Sequence, residues 1–69
     1  MSVTVRIVQL GKRVFDYVAD DGSTVGEGLA AAGIATEHME VRVRGAAVDL
    51  DQELRDGDLV TVIPRIKGG

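Results

Sequence analysis

The C-terminal stretch that decides the fold reads Leu59-Val60-Thr61-Val62-Ile63-Pro64-Arg65-Ile66-Lys67-Gly68-Gly69. Residues 59–63 are almost all apolar or β-branched, which predicts a central strand covered on at least part of both faces. Pro64 cannot donate to a strand ladder, so we expect regular pairing to weaken there. The chain therefore divides into one folded domain over residues 1–64 and a flexible tail over residues 65–69.

The N-terminal part of the chain has the pattern of a β-hairpin. Residues 3–10 and 14–19 are rich in β-branched residues and flank a short break, Gly11-Lys12-Arg13. Val3, Val5 and Ile7 alternate with polar residues, as in a strand with one buried face. In the second strand we expect the aromatic residues Phe15 and Tyr17, rather than the valines, to face the core.

A helix is predicted to follow the hairpin. Thr24 and Glu27 have the spacing of a capping box, and Gly33 stands where a left-handed C-terminal cap is expected. One helix face carries the apolar residues Val25, Leu29 and Ala32. Gly26 and Gly28 weaken a helix by up to about 1 kcal/mol each, and close packing against the sheet is the simplest reason for them.

The segment between the helix and the last strand is predicted to be irregular, with one clear strand. Residues 41–44 read Val-Arg-Val-Arg, and this alternation predicts a strand with the valines inward. Residues 45–47 are expected to turn the chain, and residues 48–50 to form a short extended piece. Leu54 is the apolar anchor of a polar connection, and Asp56-Gly57-Asp58 is a turn signal before the last strand.

These elements predict an α+β protein with a mixed four- to five-stranded sheet and one main helix packed on one face. The first and last strands are the most apolar, so we expect them to lie side by side and parallel at the sheet centre. The predicted core contains five residues in particular: Val5, Leu29, Val43, Val60 and Val62.

Composition excludes several classes of function. With 69 residues and no cysteine, the chain holds one small core and has no disulfide or thiolate site. Its net charge of −3 and two aromatic residues argue against nucleic acid as a partner. No apolar run is long enough to span a membrane, and residues 1–6 lack the features of a secretory signal, so a cytoplasmic protein is expected.

Catalytic and metal-binding patterns are weak. His38 is the one histidine and stands in a polar loop, where an exposed residue without a catalytic role is expected. The acidic stretch 49–58 lacks the ligand pattern of a calcium loop and is interpreted as a solvated turn region. We therefore expect that the chain binds no metal or cofactor and is not itself an enzyme.

The terminal Gly68-Gly69 is the remaining feature. Most C-termini are frayed, and two glycines alone are a weak signal. Glycine, however, has no side chain and a permissive backbone, so such a tail can thread a narrow channel and deliver its carboxylate to another protein's active site.

In combination, the hairpin, the capped helix, the Asp56-Gly57-Asp58 turn and the apolar last strand ending in Pro64 and a diglycine resemble the β-grasp ubiquitin-like proteins. Within them the chain is most similar to the ThiS/MoaD family of small sulfur carriers, over essentially its whole length. Arg65 and Lys67 make the tail more basic than many sulfur-carrier tails and closer to the ending of ubiquitin.

The resemblance implies that an E1-like adenylating enzyme (MoeB/ThiF-like) uses ATP to activate the Gly69 carboxylate. The adenylate is then converted to a thiocarboxylate with sulfur from a sulfurtransferase or cysteine desulfurase, and a downstream enzyme accepts the sulfur for a cofactor, a tRNA or a metabolite. The tail residues Arg65, Ile66, Lys67 and Gly68 would guide Gly69 into the partner. The chain would be a carrier and substrate.

Two alternatives stay open from the sequence. The activated Gly69 could form an isopeptide bond with a target lysine, as in a ubiquitin-like modifier. The other alternative is a β-grasp interaction module with an inert tail, and normal function after deletion of Gly68 and Gly69 would favour this hypothesis.

A docking surface is expected on the sheet face away from the helix. Leu59, Thr61 and Ile63 alternate with core-facing valines and should lie there. An apolar Ile63 on this face either belongs to a binding patch or is shielded by long side chains such as Arg42 or Arg44. We take these five residues as the predicted site of partner docking.

Overall fold

The computed structural model describes residues 1–65 and shows a five-stranded sheet in the order β2-β1-β5-β3-β4, with one helix. The elements follow the chain as β1 Ser2–Gln9, β2 Arg13–Asp20, α1 Val25–Ala31, β3 Met39–Val43, β4 Ala46–Ala47 and β5 Leu59–Pro64. This is the ubiquitin-like β-grasp arrangement, and the predicted fold class is confirmed.

The last strand lies at the sheet centre, as its apolar composition predicts. β5 pairs in parallel with β1 and antiparallel with β3. The Arg6 N–H donates to the Asp58 carbonyl at 2.9 Å, and the Leu10 N–H donates to the Val62 carbonyl at 3.1 Å. The parallel pairing of first and last strands therefore follows the prediction.

The hairpin of β1 and β2 buries its aromatic residues. Phe15 and Tyr17 are partly buried against the core, whereas Val14 and Val18 are each 61% exposed. The Arg13 guanidinium stacks over the Phe15 ring, 4.5 Å from the centroid. The inward orientation predicted for the aromatic residues is confirmed.

Helix α1 begins and ends with the predicted caps. The Glu27 N–H donates to the Thr24 hydroxyl at 3.1 Å, and the Thr24 N–H donates to the Glu27 carboxylate at 2.9 Å. At the other end, Gly33 has a φ of +80° and its N–H donates to the Ala30 carbonyl at 3.1 Å. The next N–H, from the buried Ile34, donates to the Leu29 carbonyl at 2.9 Å, which completes a Schellman motif.

The helical glycines face the connection after β4, and the expectation that they pack against the sheet is wrong. A Cβ at Gly26 would lie 3.1 Å from the Leu50 carbonyl oxygen, and one at Gly28 would lie 2.8 Å from Leu54 Cδ1. The Gly26 N–H also donates to the Leu50 carbonyl at 2.7 Å. Residues 50–54 therefore pass so close to the first helical turns that a side chain at either position would force Leu50 or Leu54 to shift.

Strand β4 replaces part of the predicted turn. The turn itself is formed by Arg44 and Gly45, with φ values of +54° and +81°. Ala46 and Ala47 then pair antiparallel with Val43 and Arg42 of β3. The turn is therefore shorter than the predicted one over residues 45–47, because two consecutive residues with positive φ are enough to reverse the chain.

The core lies between α1 and one face of the sheet. Val25 and Leu29 of the helix meet inward residues of the central strands, and Leu54 of the connection closes one side. Of the predicted core residues, Val43 is partly buried and the others are buried: Val5, Leu29, Val60 and Val62. Among the described residues, no helix has the length and apolar character needed to cross a membrane.

Candidate functional site: the tail base and the outer sheet face

The base of the tail is held in the middle of the sheet. β5 extends to Pro64, which lies opposite Met39 of β3, and the Arg65 N–H then donates to the His38 carbonyl at 3.0 Å. Backbone pairing thus continues past the proline, contrary to the expected weakening. The pairing with β3 does not need an N–H group at Pro64, and the next N–H group, that of Arg65, makes the following hydrogen bond. The predicted site residues Ile66, Lys67, Gly68 and Gly69 lie outside the described residues.

His38 adopts a left-handed backbone that turns its carbonyl towards Arg65. Its φ is +62°, and the Met39 N–H donates to the Thr36 carbonyl at 3.0 Å across the same turn. The imidazole is exposed, and its nearest acidic neighbour is the Glu37 carboxylate at 3.6 Å. His38 therefore acts on the tail base through its backbone, a role that its residue type alone did not indicate.

The predicted docking residues of β5 share the sheet face opposite α1, which we call the outer face. Leu59 is 43% exposed, and Thr61 and Ile63 are half-buried, whereas the alternating residues Val60 and Val62 are buried. We call the row of Leu59, Thr61 and Ile63 the apolar strip. Its most exposed apolar side chain is Leu59 rather than Ile63.

An ion pair flanks the strip on the β3 side. Arg42 lies opposite Thr61, and Glu40 lies opposite Ile63. The Arg42 Nε donates to the Glu40 carboxylate, so these two side chains are paired beside the strip. Ile63 is half-buried, and its partner in the register is Glu40 of this pair.

Arg44, the remaining predicted docking residue, is tied to a buried carboxylate. Its Nη2 lies 2.9 Å from Asp58 Oδ1, and this contact is an ion pair without the alignment of a hydrogen bond. Asp58 is only 3% exposed, and its other oxygen accepts the Arg55 N–H at 2.8 Å. The predicted Asp56-Gly57-Asp58 turn is thus present and also anchors Arg44 beside the start of β5.

Sequence reasoning missed the other half of the outer face. Arg6 lies opposite both Leu59 of β5 and Asp16 of β2, and its Nε donates to the Asp16 carboxylate at 3.0 Å. This hydrogen bond and the negative charge of Asp16 raise the pKa of the Arg6 guanidinium above its ordinary value. The alternation in both strands was the signal, because outward positions of neighbouring strands must share this face.

The outer face thus combines an apolar strip with two arginines, Arg6 and Arg42, each paired with a carboxylate, whereas Arg44 is tied to the buried Asp58 beside it. A shallow depression between Leu59, Arg6 and Asp56 adjoins the strip. Residues 1–65 contain no group of three or more side chains able to hold a metal ion. What the face offers is contact area and hydrogen-bonding groups for another protein.

Comparison with known proteins gives the same fold and a family. SAMP1 from Haloferax volcanii superposes with a TM-score of 0.78 at 20% identity, over 96% of this chain and 99% of that one. Ubiquitin from Caldiarchaeum subterraneum gives a TM-score of 0.71 at 20% identity, with both chains covered completely. At this identity the two structures show the fold alone. The family model of the ThiS family matches residues 8–69, nearly the whole chain, and the protein therefore belongs to the ThiS family.

Proposed function

We propose that this protein is a sulfur carrier whose Gly69 carboxylate is activated by an E1-like enzyme and converted to a thiocarboxylate. The observation that carries the proposal is the ThiS family match, which runs through Gly68 to Gly69. Proteins of this family and fold are in general small carriers or modifiers rather than enzymes, and an E1-like enzyme is their general partner.

The proposed chemistry explains why the reacting group is at the end of the chain. A carboxylate is a poor electrophile, so one of its oxygens attacks the α-phosphorus of ATP on the partner enzyme and displaces pyrophosphate. The terminal sulfur of an enzyme persulfide, carried by a sulfurtransferase or cysteine desulfurase, then attacks the acyl carbon and displaces AMP, which gives an acyl disulfide. A second thiol attacks the enzyme-side sulfur of this disulfide, forms a new disulfide with the enzyme and releases the thiocarboxylate. The thiocarboxylate left on Gly69 passes its sulfur to an accepting enzyme.

The structure supports this proposal through the position of the tail base. β5 is paired on both sides, and the Arg65 N–H is bonded to His38, so the tail starts from a fixed point. Leu59, Thr61 and Ile63 lie on the same strand as that point. A partner that docks on the outer face can therefore take up Gly69 over a short distance, which raises its effective concentration at the active site.

A modifier role is the second candidate, in which a target lysine attacks the activated Gly69 in place of sulfur. The basic ending Arg65-Ile66-Lys67 favours it, because it is closer to the ending of ubiquitin. Both roles need the same adenylation step and differ in the nucleophile that follows.

The test measures ATP–pyrophosphate exchange by the cognate E1-like enzyme and then the intact mass of the chain under non-reducing conditions. The wild-type chain should support exchange and gain the mass of one oxygen-to-sulfur replacement when a sulfur donor is added. Gly68→Val and a chain extended by one alanine after Gly69 should abolish exchange. Ala30→Lys, at an exposed residue of α1 on the side of the sheet away from the outer face, is the folded control and should leave exchange unchanged.

The outcomes separate the candidates. Exchange that leads to high-mass conjugates without sulfur gain would replace the carrier with the modifier. Full exchange by the extended chain would refute both roles and leave an interaction module with an inert tail.

A further inference from the structure

The second strand forms a long edge of the sheet. β2 stands at one end of the strand order, with β1 as its neighbour, and has eight residues. Two apolar side chains on its outer face, Val14 and Val18, are each 61% exposed. Edges of this length with exposed apolar groups are templates for pairing with another strand, and natural proteins usually keep them short or blunted.

The backbone groups that face this edge can be identified. The N–H groups of Arg6 and Leu10 donate to the carbonyls of Asp58 and Val62. The backbone N–H and C=O groups of the even-numbered residues of β1 therefore point to β5, and those of the odd-numbered residues point to β2. Odd residues of β1 lie opposite odd residues of β2 in the register. The outward N–H and C=O groups of β2 therefore belong to its even residues: Val14, Asp16, Val18 and Asp20.

The charges along β2 suit a second copy in the antiparallel direction. Lys12 stands just before the strand and Asp20 ends it, and both are exposed. An antiparallel copy brings each Lys12 next to Asp20 of the other chain, whereas a parallel copy would place like charges together. A twofold axis generates the antiparallel arrangement by itself, because both chains then use the same surface.

We propose that two copies of this chain associate through β2, in antiparallel register with the twofold axis at Asp16. In this register Val14 lies opposite Val18 and Phe15 lies opposite Tyr17 of the second copy, with about six backbone hydrogen bonds between the chains. A register shifted by two residues, which keeps the same side chains on the outer face, would place Val14 opposite Asp20 and Asp16 opposite Val18. The matched apolar pairs therefore select the proposed register.

The proposed register has one cost, because the two Asp16 carboxylates meet at the axis. Each is held by its own Arg6 at 3.0 Å, which offsets part of the repulsion. The association is independent of the proposed function and leaves the tail base uncovered, since β1 lies between β2 and β5. Two tails would then be presented on one continuous sheet.

The test is sedimentation equilibrium of the full chain from micromolar to millimolar concentration. The average mass should rise from 7.3 kDa towards twice that value. Val18→Lys should weaken association about tenfold or more, since lysine blunts an edge. Ala47→Lys places the same side chain on the outer face of the opposite edge strand, β4, and should leave association unchanged.

Charge exchange tests the register. Lys12→Asp and Asp20→Lys should each weaken association roughly threefold to tenfold, and the double variant should restore it. Asp16→Asn should strengthen it. A monomer at every concentration, equal effects of Val18→Lys and Ala47→Lys, or a double variant weaker than both single ones would overturn the proposal. Circular dichroism of each variant shows whether a loss of association reflects pairing or unfolding.

Discussion

Truncation of Leu29 to alanine tests how the helix is seated on the sheet. Leu29 is 1% exposed and belongs to the core cluster with Val5, Val60 and Val62. The substitution removes three carbon atoms, worth about 2.4 kcal/mol at about 0.8 kcal/mol per group. The cavity left behind adds to this loss, which we expect to be about 2.4–5 kcal/mol, because the surrounding sheet and helix collapse only in part.

The loss is large for a chain of this size. At roughly 0.05–0.15 kcal/mol per residue, a chain of 69 residues has a total stability of about 3–10 kcal/mol. With a urea dependence of about 1 kcal/mol per molar, the midpoint should fall by at least about 2 M. Urea unfolding followed by far-ultraviolet circular dichroism measures this shift.

Ala30→Gly is the matched control, because Ala30 is the next residue and is exposed. It costs helix propensity alone, about 1 kcal/mol. If Leu29→Ala shifted the midpoint no further than Ala30→Gly, Leu29 would not pack in the core and the helix face assigned here would be wrong.

Four further substitutions test the cap, the turn and the docking face. Thr24→Ala removes the capping box and should cost about 1 kcal/mol in urea unfolding, whereas an unchanged midpoint would show that the cap contributes nothing. Asp58→Ala leaves the Arg55 N–H without its acceptor and should cost about 1–3 kcal/mol by the same assay, and a smaller loss would mean that water replaces the carboxylate. Ile63→Asp and Leu59→Asp should weaken calorimetric binding to the E1-like enzyme with an unchanged circular dichroism spectrum, the second more strongly because Leu59 is more open. Unchanged binding of both variants would place the interface elsewhere.

Local patterns predicted most of the fold because each element carries its own signal. The apolar run of β5 predicted a central strand, and β5 lies at the sheet centre with one face buried and the other partly covered. The Thr24–Glu27 pair and Gly33 set the helix ends through contacts within a few residues. Such short-range interactions depend little on tertiary context, so their outcome is readable from the sequence.

The features that escaped prediction depend on partners outside the segment concerned. Ala46 and Ala47 have little preference for a strand, and they form β4 only because the turn before them brings them beside β3. The close approach of Leu50 and Leu54 explains the helical glycines, and no periodicity within the helix could show it. The pairing of Arg6 with Asp16 likewise required the register of the hairpin.

The strand register also determines which charges of the candidate site are paired and how strongly they attract a partner. Arg6 and Arg42 each pair with a carboxylate on the outer face, and Arg44 pairs with Asp58 beside it, so these arginines give the face only a small net field. Exposed pairs of this kind add little free energy, and binding there would rest on the apolar strip and its shape. Under the proposed function, long-range steering of an acidic partner then depends on the cations of the tail, Arg65 and Lys67. Salt should accordingly slow docking through the tail, while it leaves the contacts of the strip almost unchanged.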